Sequence, residues 1–418
     1  MKKSNVNKMI FSVIVFIYPY INFYSRKIEI VSGLSLSYII ILLYLLPIIF
    51  NLSELKSFVL KRKQLYYFII LLLLISLLWS TEFTRGFFYI IVLTIAPLFG
   101  LSIYKLDYTY NLWKVFSYST IIFSILLYTK ILLRGFNFYN YGGTRFGYIL
   151  GNEVSLDPNW LGAWLVVSFI YFFMQSKRES STLKTRKNKF KRLSYLILVI
   201  ICLYFLFKTG SLSASFALVI ALTTYIVVNK KYIKLLFSVM LAILLFLIVI
   251  SSTNNNIFIF NRLSNFDIYN NERYELLVST KEAITDNYFN FIFGYGAGGG
   301  DRAIGKFYRG AQVQEDGIVR YNNHNTYLDF VLQLGSIGLF IVVFIILWSI
   351  IALHKSIKVK NNDFILLFIF VLIQSMFYNP IKNGFFIISY GFITALYLNN
   401  AKIYKKQKEK PIETVTYS

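Results

Sequence analysis

Residues 327–353 read YLDFVLQLGSIGLFIVVFIILWSIIAL, immediately after the polar run YNNHNT at 321–326. A bilayer core demands about 17–25 predominantly apolar residues in helical form, and this run alone has that length. Similar runs lie near 9–24, 34–50, 65–80, 86–104, 112–133, 160–174, 193–208, 211–228, 232–251, 363–379 and 384–398. With 57% hydrophobic residues and a mean hydropathy of +0.59, the chain falls outside the soluble class. The expected fold is all-α: a single polytopic membrane domain spanning 1–418 with about twelve transmembrane helices. Lys2, Lys3 and Lys8 ahead of the first apolar run imitate a signal peptide. Ile21-Asn22-Phe23-Tyr24 offers no small-residue cleavage site, so that run reads as an uncleaved first helix.

The net charge of +24 is distributed as a topology signal. Short cytoplasmic loops keep Lys and Arg. With the N-terminus inside, Lys56, Lys61, Arg62 and Lys63 fall on one side, as do Lys177 to Arg192, Lys230 to Lys234, Lys355 to Lys360 and Lys402 to Lys410. Acidic residues such as Glu153, Asp157, Glu272, Asp301 and Glu315 fall mostly on the other. The excess charge therefore speaks for orientation and anionic lipid, and against a nucleic-acid partner. Both termini are expected in the cytoplasm, with residues 402–418 a disordered tail.

Two sizeable segments remain outside, 134–159 and 252–326, and long loops are often functional. The larger one is expected to be helical. Tyr274, Leu277, Val278, Lys281 and Ile284 share one helical face, with Asn270 or Asn271 as a cap, which suits a helix lying on the outer membrane surface.

His324 closes that segment, one of two histidines in the chain. Its ordinary pKa of about 6.5 suits a general acid or base at neutral pH; the simpler role is to hydrogen-bond the loop or cap the following helix. His354, beside Lys355, reads as a surface residue. Arginines are scarce in external loops, yet Arg145, Arg273, Arg302, Arg309 and Arg320 are kept there. Guanidinium groups bind phosphate bidentately and stay charged, although pairing with acidic neighbours explains any one of them. Asp157-Pro158-Asn159 reads as a helix start, with a capping Asp and Pro at the first position. The run Gly294-Tyr295-Gly296-Ala297-Gly298-Gly299-Gly300 lacks the Gly-Lys-Ser/Thr of a nucleotide loop and reads as a flexible turn. Cys202 is the only cysteine and lies in an apolar run, which excludes disulfides and a cysteine metal site. No His, Asp and Glu have metal-ligand spacing, so a metal-free mechanism without cofactor is expected.

These segments, taken in order, resemble the Wzy-type O-antigen and capsule polymerases and the O-antigen ligases, one superfamily of bacterial membrane glycosyltransferases. The resemblance is carried by Thr144-Arg145-Phe146-Gly147 with Asp157-Pro158-Asn159-Trp160-Leu161-Gly162, by Thr209-Gly210-Ser211, and by Arg273 to Ile284 ending in Phe293-Gly294-Tyr295-Gly296. His324-Asn325-Thr326-Tyr327-Leu328, followed by Leu334-Gly335-Ser336-Ile337-Gly338, completes it. It covers roughly residues 140–345. Leu212 stands where the family often has arginine, which leaves that charge to nearby Lys208 or to other arginines.

The resemblance implies a donor glycan on undecaprenyl pyrophosphate at the outer face of the bacterial cytoplasmic membrane. The acceptor is a second lipid-linked glycan, and a flippase and a chain-length regulator are the implied protein partners. His324 would deprotonate the acceptor hydroxyl. Arg145, Arg273, Lys208 and Arg320 would hold the pyrophosphate, with Asn159, Asn325 and Tyr327 in support. Two other readings compete: a ligase passing finished glycan to another acceptor, and a lipid-linked oligosaccharide flippase or transporter. Transporters commonly show repeated halves and midplane charges, whereas here the halves are unlike.

Overall fold

The structure is a computed structural model of the 418-residue chain. It describes residues 3–24, 29–31, 34–35, 64–129, 137–140, 144–150, 153–181, 186–229, 272–308, 319, 321, 324–377 and 385–409. Helices dominate: α1 (Lys3–Tyr24), α2 (Gln64–Ser76, continued by a 3-10 turn Leu77–Trp79), α3 (Phe83–Lys105), α4 (Thr109–Tyr128), α5 (Pro158–Ser181), α6 (Arg186–Thr209) and α7 (Leu212–Val228). Next come three shorter helices, α8 (Glu272–Thr285), α9 (Tyr288–Phe293) and α10 (Gly300–Phe307). The long α11 (Thr326–Lys358), α12 (Asn362–Phe377) and α13 (Phe385–Glu409) follow.

This is a membrane protein. Among the described residues, four helices are long and apolar enough to cross a bilayer, those containing Ser4–Phe23, Phe83–Lys105, Asn188–Thr209 and Thr326–Lys358. Ten of the twelve expected spans coincide with described helices; 34–50, apart from its first two residues, and 232–251 lie outside the described residues. Apolar side chains such as Phe340, Leu347 and Ile350 remain exposed on α11, as a lipid-facing surface requires.

The interior is aromatic and tight. Trp113 on α4 stacks on Phe392 at 5.8 Å and donates its indole N–H to the Val167 carbonyl over 3.1 Å, satisfying the one polar atom of a buried ring. Where α3 meets α13, Gly100 and Gly391 let the backbones approach: a Cβ on Gly100 would lie 2.6 Å from Thr394 Cβ. Small residues at helix crossings are the usual device where lipid removes the hydrophobic drive between helices.

Three expectations need correction. The segment 134–159 is not wholly loop: Asn137–Asn140, Thr144–Leu150 and Glu153–Leu156 form a three-stranded antiparallel sheet packed on α5 and α6, so the chain is not purely α. Strands alternate side-chain direction, and a segment this short and Tyr/Asn-rich has no helical period to compete with pairing. The tail is not disordered from residue 402, because α13 continues to Glu409. Its last turns are rich in Lys, Gln and Glu, good helix formers that need no burial.

The third concerns the glycine run. It is not a flexible turn but a buried clamp: Gly296, Ala297, Gly299 and Gly300 are all buried. At Gly335 (φ 60°, ψ −138°) α11 breaks its helical path, which releases carbonyls one turn earlier. Those carbonyls take the run's amides: Tyr295 N–H donates to Leu332 over 2.8 Å and Gly296 N–H to Gln333 over 3.0 Å. Ala297 N–H donates to Ser76 Oγ, and Gly298 N–H to Gln333 Oε1, each over 3.0 Å. Gly294 N–H donates to Asn290 O and Gly299 N–H to Gly296 O. The six consecutive amides from Gly294 to Gly299 are thus committed to protein acceptors and do not cradle a phosphate.

Candidate functional site

One end of the bundle gathers most of the described sequence-predicted residues. His324 is half-buried and left-handed (φ 53°), directly ahead of α11. Asn325 caps that helix, its Oδ1 accepting from Tyr327 N–H over 2.9 Å and Leu328 N–H over 3.1 Å. The helix is thus capped by Asn325. The imidazole stands edge-on to Tyr321 at 6.5 Å, and Tyr321 packs on Tyr308 at 4.5 Å. Tyr321 N–H donates to the Asp301 carbonyl over 2.9 Å, tying the strap before His324 to α10.

Hydrogen bonds lead from α11 to the other predicted elements. Tyr327 Oη donates to the Leu372 carbonyl over 3.0 Å, which places the end of α12 beside the start of α11. Gln374, two residues on, reaches Ser213 Oγ at 3.5 Å, and Ser213 lies 3.4 Å from Ser211 Oγ. Ser211 caps α7 after the left-handed Gly210 (φ 60°) and donates to Asn159 Oδ1 over 3.0 Å. A Cβ on Gly162 would lie 2.8 Å from Ser211 Cβ, so glycine there admits the turn. The Asp-Pro-Asn element, the Gly-Ser turn and the histidine segment therefore share one end. Lys208 lies in the last turn of α6 at that end, exposed, with its Nζ 5.8 Å from the Tyr204 ring.

The arginines divide. Arg145 occupies a strand position opposite Tyr139, and Arg273 is the second residue of α8; only their backbones are described. Arg309, Arg320, Asn270 and Asn271 lie outside the described residues. Two other guanidiniums are brought to the His324 end. Arg85 lies 3.8 Å from Asp301 and 3.7 Å from Glu82, and Arg302 donates to the Thr81 carbonyl over 3.4 Å. Arg85 escaped sequence reasoning because it lies in the short stretch between the expected spans 65–80 and 86–104, outside both long external segments.

Asp329 was also missed. It is the sole charge in the 327–353 run and is 1% exposed, accepting from Gln333 Nε2 over 2.7 Å in the first turn of α11. The helix dipole favours a carboxylate there, and an ionisable group inside an apolar span is a functional signal by itself. Through Gln333 it is linked to the glycine clamp. Tyr295 in that clamp donates to the Ala283 carbonyl over 2.9 Å; burial, then the Asp286 carboxylate, pushes its hydroxyl up to about 12, so it remains a neutral donor.

The α8 face of Tyr274, Leu277, Val278 and Lys281 is exposed, while Leu276, Ser279, Thr280 and Ala283 pack inward. Among the described residues no three of His, Cys, Asp and Glu gather as a metal site.

No curated protein matches the chain. Residues 197–343 match the family model described as O-antigen ligase, about a third of the sequence. The matched span contains Lys208, the Gly-Ser turn, the glycine clamp and His324, and it supports the O-antigen ligase/polymerase superfamily of membrane enzymes.

Proposed function

We propose that the chain is a glycosyltransferase that polymerises undecaprenyl-pyrophosphate-linked repeat units into O-antigen or capsular polysaccharide, at the outer face of the cytoplasmic membrane. The observation that carries this reading is His324. It stands at the mouth of a helix capped by Asn325, within a segment matched to the O-antigen ligase family and at the same end as the Asn159–Ser211 pair. The positive-inside rule supports the orientation, because Lys355, Lys358, Lys177 and Arg178 all lie at the opposite ends of α11 and α5. The exposed apolar face of α8 suits the headgroup boundary.

In this reading His324 takes the proton of the acceptor hydroxyl as that oxygen attacks the donor's anomeric carbon. The glycosidic bond to the lipid diphosphate breaks, and its oxygen keeps the electron pair. Arg85 and Arg302 at the same end, with Arg145, Arg273, Lys208 and Arg320, stabilise the diphosphate as it leaves.

A ligase would use the same chemistry with a different acceptor, and the family match favours it as much. Lipid-linked glycans from a deletion strain separate the two. Polymerase activity predicts that only single repeat units remain on undecaprenyl. Full-length glycan stranded on that lipid would instead identify a ligase.

A further inference from the structure

The Gly335 break divides α11 into two lengths. From Ser336 to Lys358 the helix runs roughly 35 Å at about 1.5 Å per residue, enough for a hydrocarbon core of about 30 Å. Thr326 to Gly335 adds roughly 15 Å of helix beyond the break, and His324 stands at that far end. This end also has a small core of its own, around Leu276, Ile304 and Leu332, separate from the aromatic interior of the bundle. Tyr308 and Tyr321 lie half-buried on its rim, their ring centroids 4.5 Å apart. Tyr321 meets the imidazole at 85°, with centroids 6.5 Å apart. The left-handed backbone of His324 is strain held against this pair, and such strain gathers at functional sites.

Other aromatic rings outside the bundle have a simpler cause. Tyr288, Phe289 and Phe291 of α9 are exposed, but α9 packs beside Ser336, whose Oγ donates to the Ile292 carbonyl over 3.1 Å. That is the outer end of the bilayer-length part of α11, where aromatic side chains suit the lipid boundary. Lipid does not account for Tyr308 and Tyr321 in the same way, because they sit at the His324 end. A neutral sugar fits them: its C–H face is apolar and its rim carries hydroxyls, the same division as in a tyrosine side chain. A pyranose resting on Tyr321 spans the distance to the imidazole and presents it with a hydroxyl. We propose that Tyr308 and Tyr321 form the acceptor subsite, holding a neutral pyranose of the acceptor glycan by its C–H face. The inference rests on the proposed glycosyl transfer and adds to it a sugar contact separate from the diphosphate.

The probe is the repeat-unit oligosaccharide released by mild acid from the lipid-linked fraction of the deletion strain. It lacks the diphosphate of a donor and so reports on the acceptor subsite alone. Saturation-transfer NMR on the full-length, detergent-solubilised protein, with aromatic protons irradiated, is expected to mark C–H protons of one terminal sugar. Tyr321→Leu and Tyr308→Leu should each weaken binding roughly tenfold, and Tyr321→Phe should keep it. In transfer assays Tyr321→Leu should raise the acceptor KM more than it lowers kcat, the mark of lost substrate binding; a displaced imidazole would lower kcat instead. The wild-type measurement stands by itself should a leucine variant not fold. No saturation transfer from wild type, or undiminished binding by both leucine variants, overturns the proposal, and polymer formed in the same preparation would leave the transfer reading intact. Binding of the oligosaccharide by a wild-type protein that transfers glycan to no acceptor overturns the transfer reading and leaves the sugar site.

Discussion

His324→Ala is expected to lower glycan transfer by roughly 10²–10⁴-fold, the usual contribution of a positioned general base, without loosening the fold. The backbone supplies a control that separates chemistry from conformation. At φ 53° His324 occupies the left-handed region, which costs a non-glycine residue on the order of 1–2 kcal/mol. His324→Gly removes that strain along with the imidazole. Were the residue a loop hinge, glycine would restore activity that alanine lacks. If the imidazole moves the proton, both variants are inactive, and the glycine variant melts no lower than the alanine variant. Transfer assays on a defined lipid-linked repeat, with thermal unfolding in detergent, give both readings.

Gly294→Ala is expected to lower stability by about 2–5 kcal/mol, combining left-handed strain with backbone overlap. Gly294 has φ 71°, and a Cβ there would lie 2.5 Å from both the Gln333 carbonyl oxygen and the Leu334 nitrogen. Neither atom can yield, because Gln333 also receives Gly296 N–H and Gly298 N–H. The clamp would have to open, releasing α8 to α10 from α11 and taking Tyr321 and His324 out of register. The variant should lose its monodisperse peak at a markedly lower temperature than wild type. Lys281→Ala, on the exposed face of α8, should leave that temperature unchanged. A Gly294→Ala protein as heat-resistant as wild type would contradict the clamp.

Membrane character was legible because a bilayer fixes one length, and four described helices have that length and apolarity. The Asn159 element was legible as a helix start and the Ser211 turn through the family resemblance, and the structure joins them by a hydrogen bond that neither spacing nor composition specifies. The glycine run was misread for a physical reason. Missing side chains look the same in sequence whether they confer freedom or permit two backbones to touch, and only the Gly335 break in α11 decides which. Asp329 was overlooked because one carboxylate barely lowers the hydropathy of a long run, although its isolation was the clue. Arg85 was hidden by lying in the short connection between two expected spans, outside both long external segments; its approach to Asp301 depends on contacts more than 200 residues apart in sequence.

Sidedness is the decisive observable. In a Cys202→Ala background, His324→Cys and Lys358→Cys would be probed separately in intact spheroplasts with a membrane-impermeant maleimide. Position 324 should label at once and position 358 only after lysis. Labelling of 358 in intact cells, with 324 protected until lysis, would place the imidazole in the cytosol, where a donor glycan already flipped outward never reaches it.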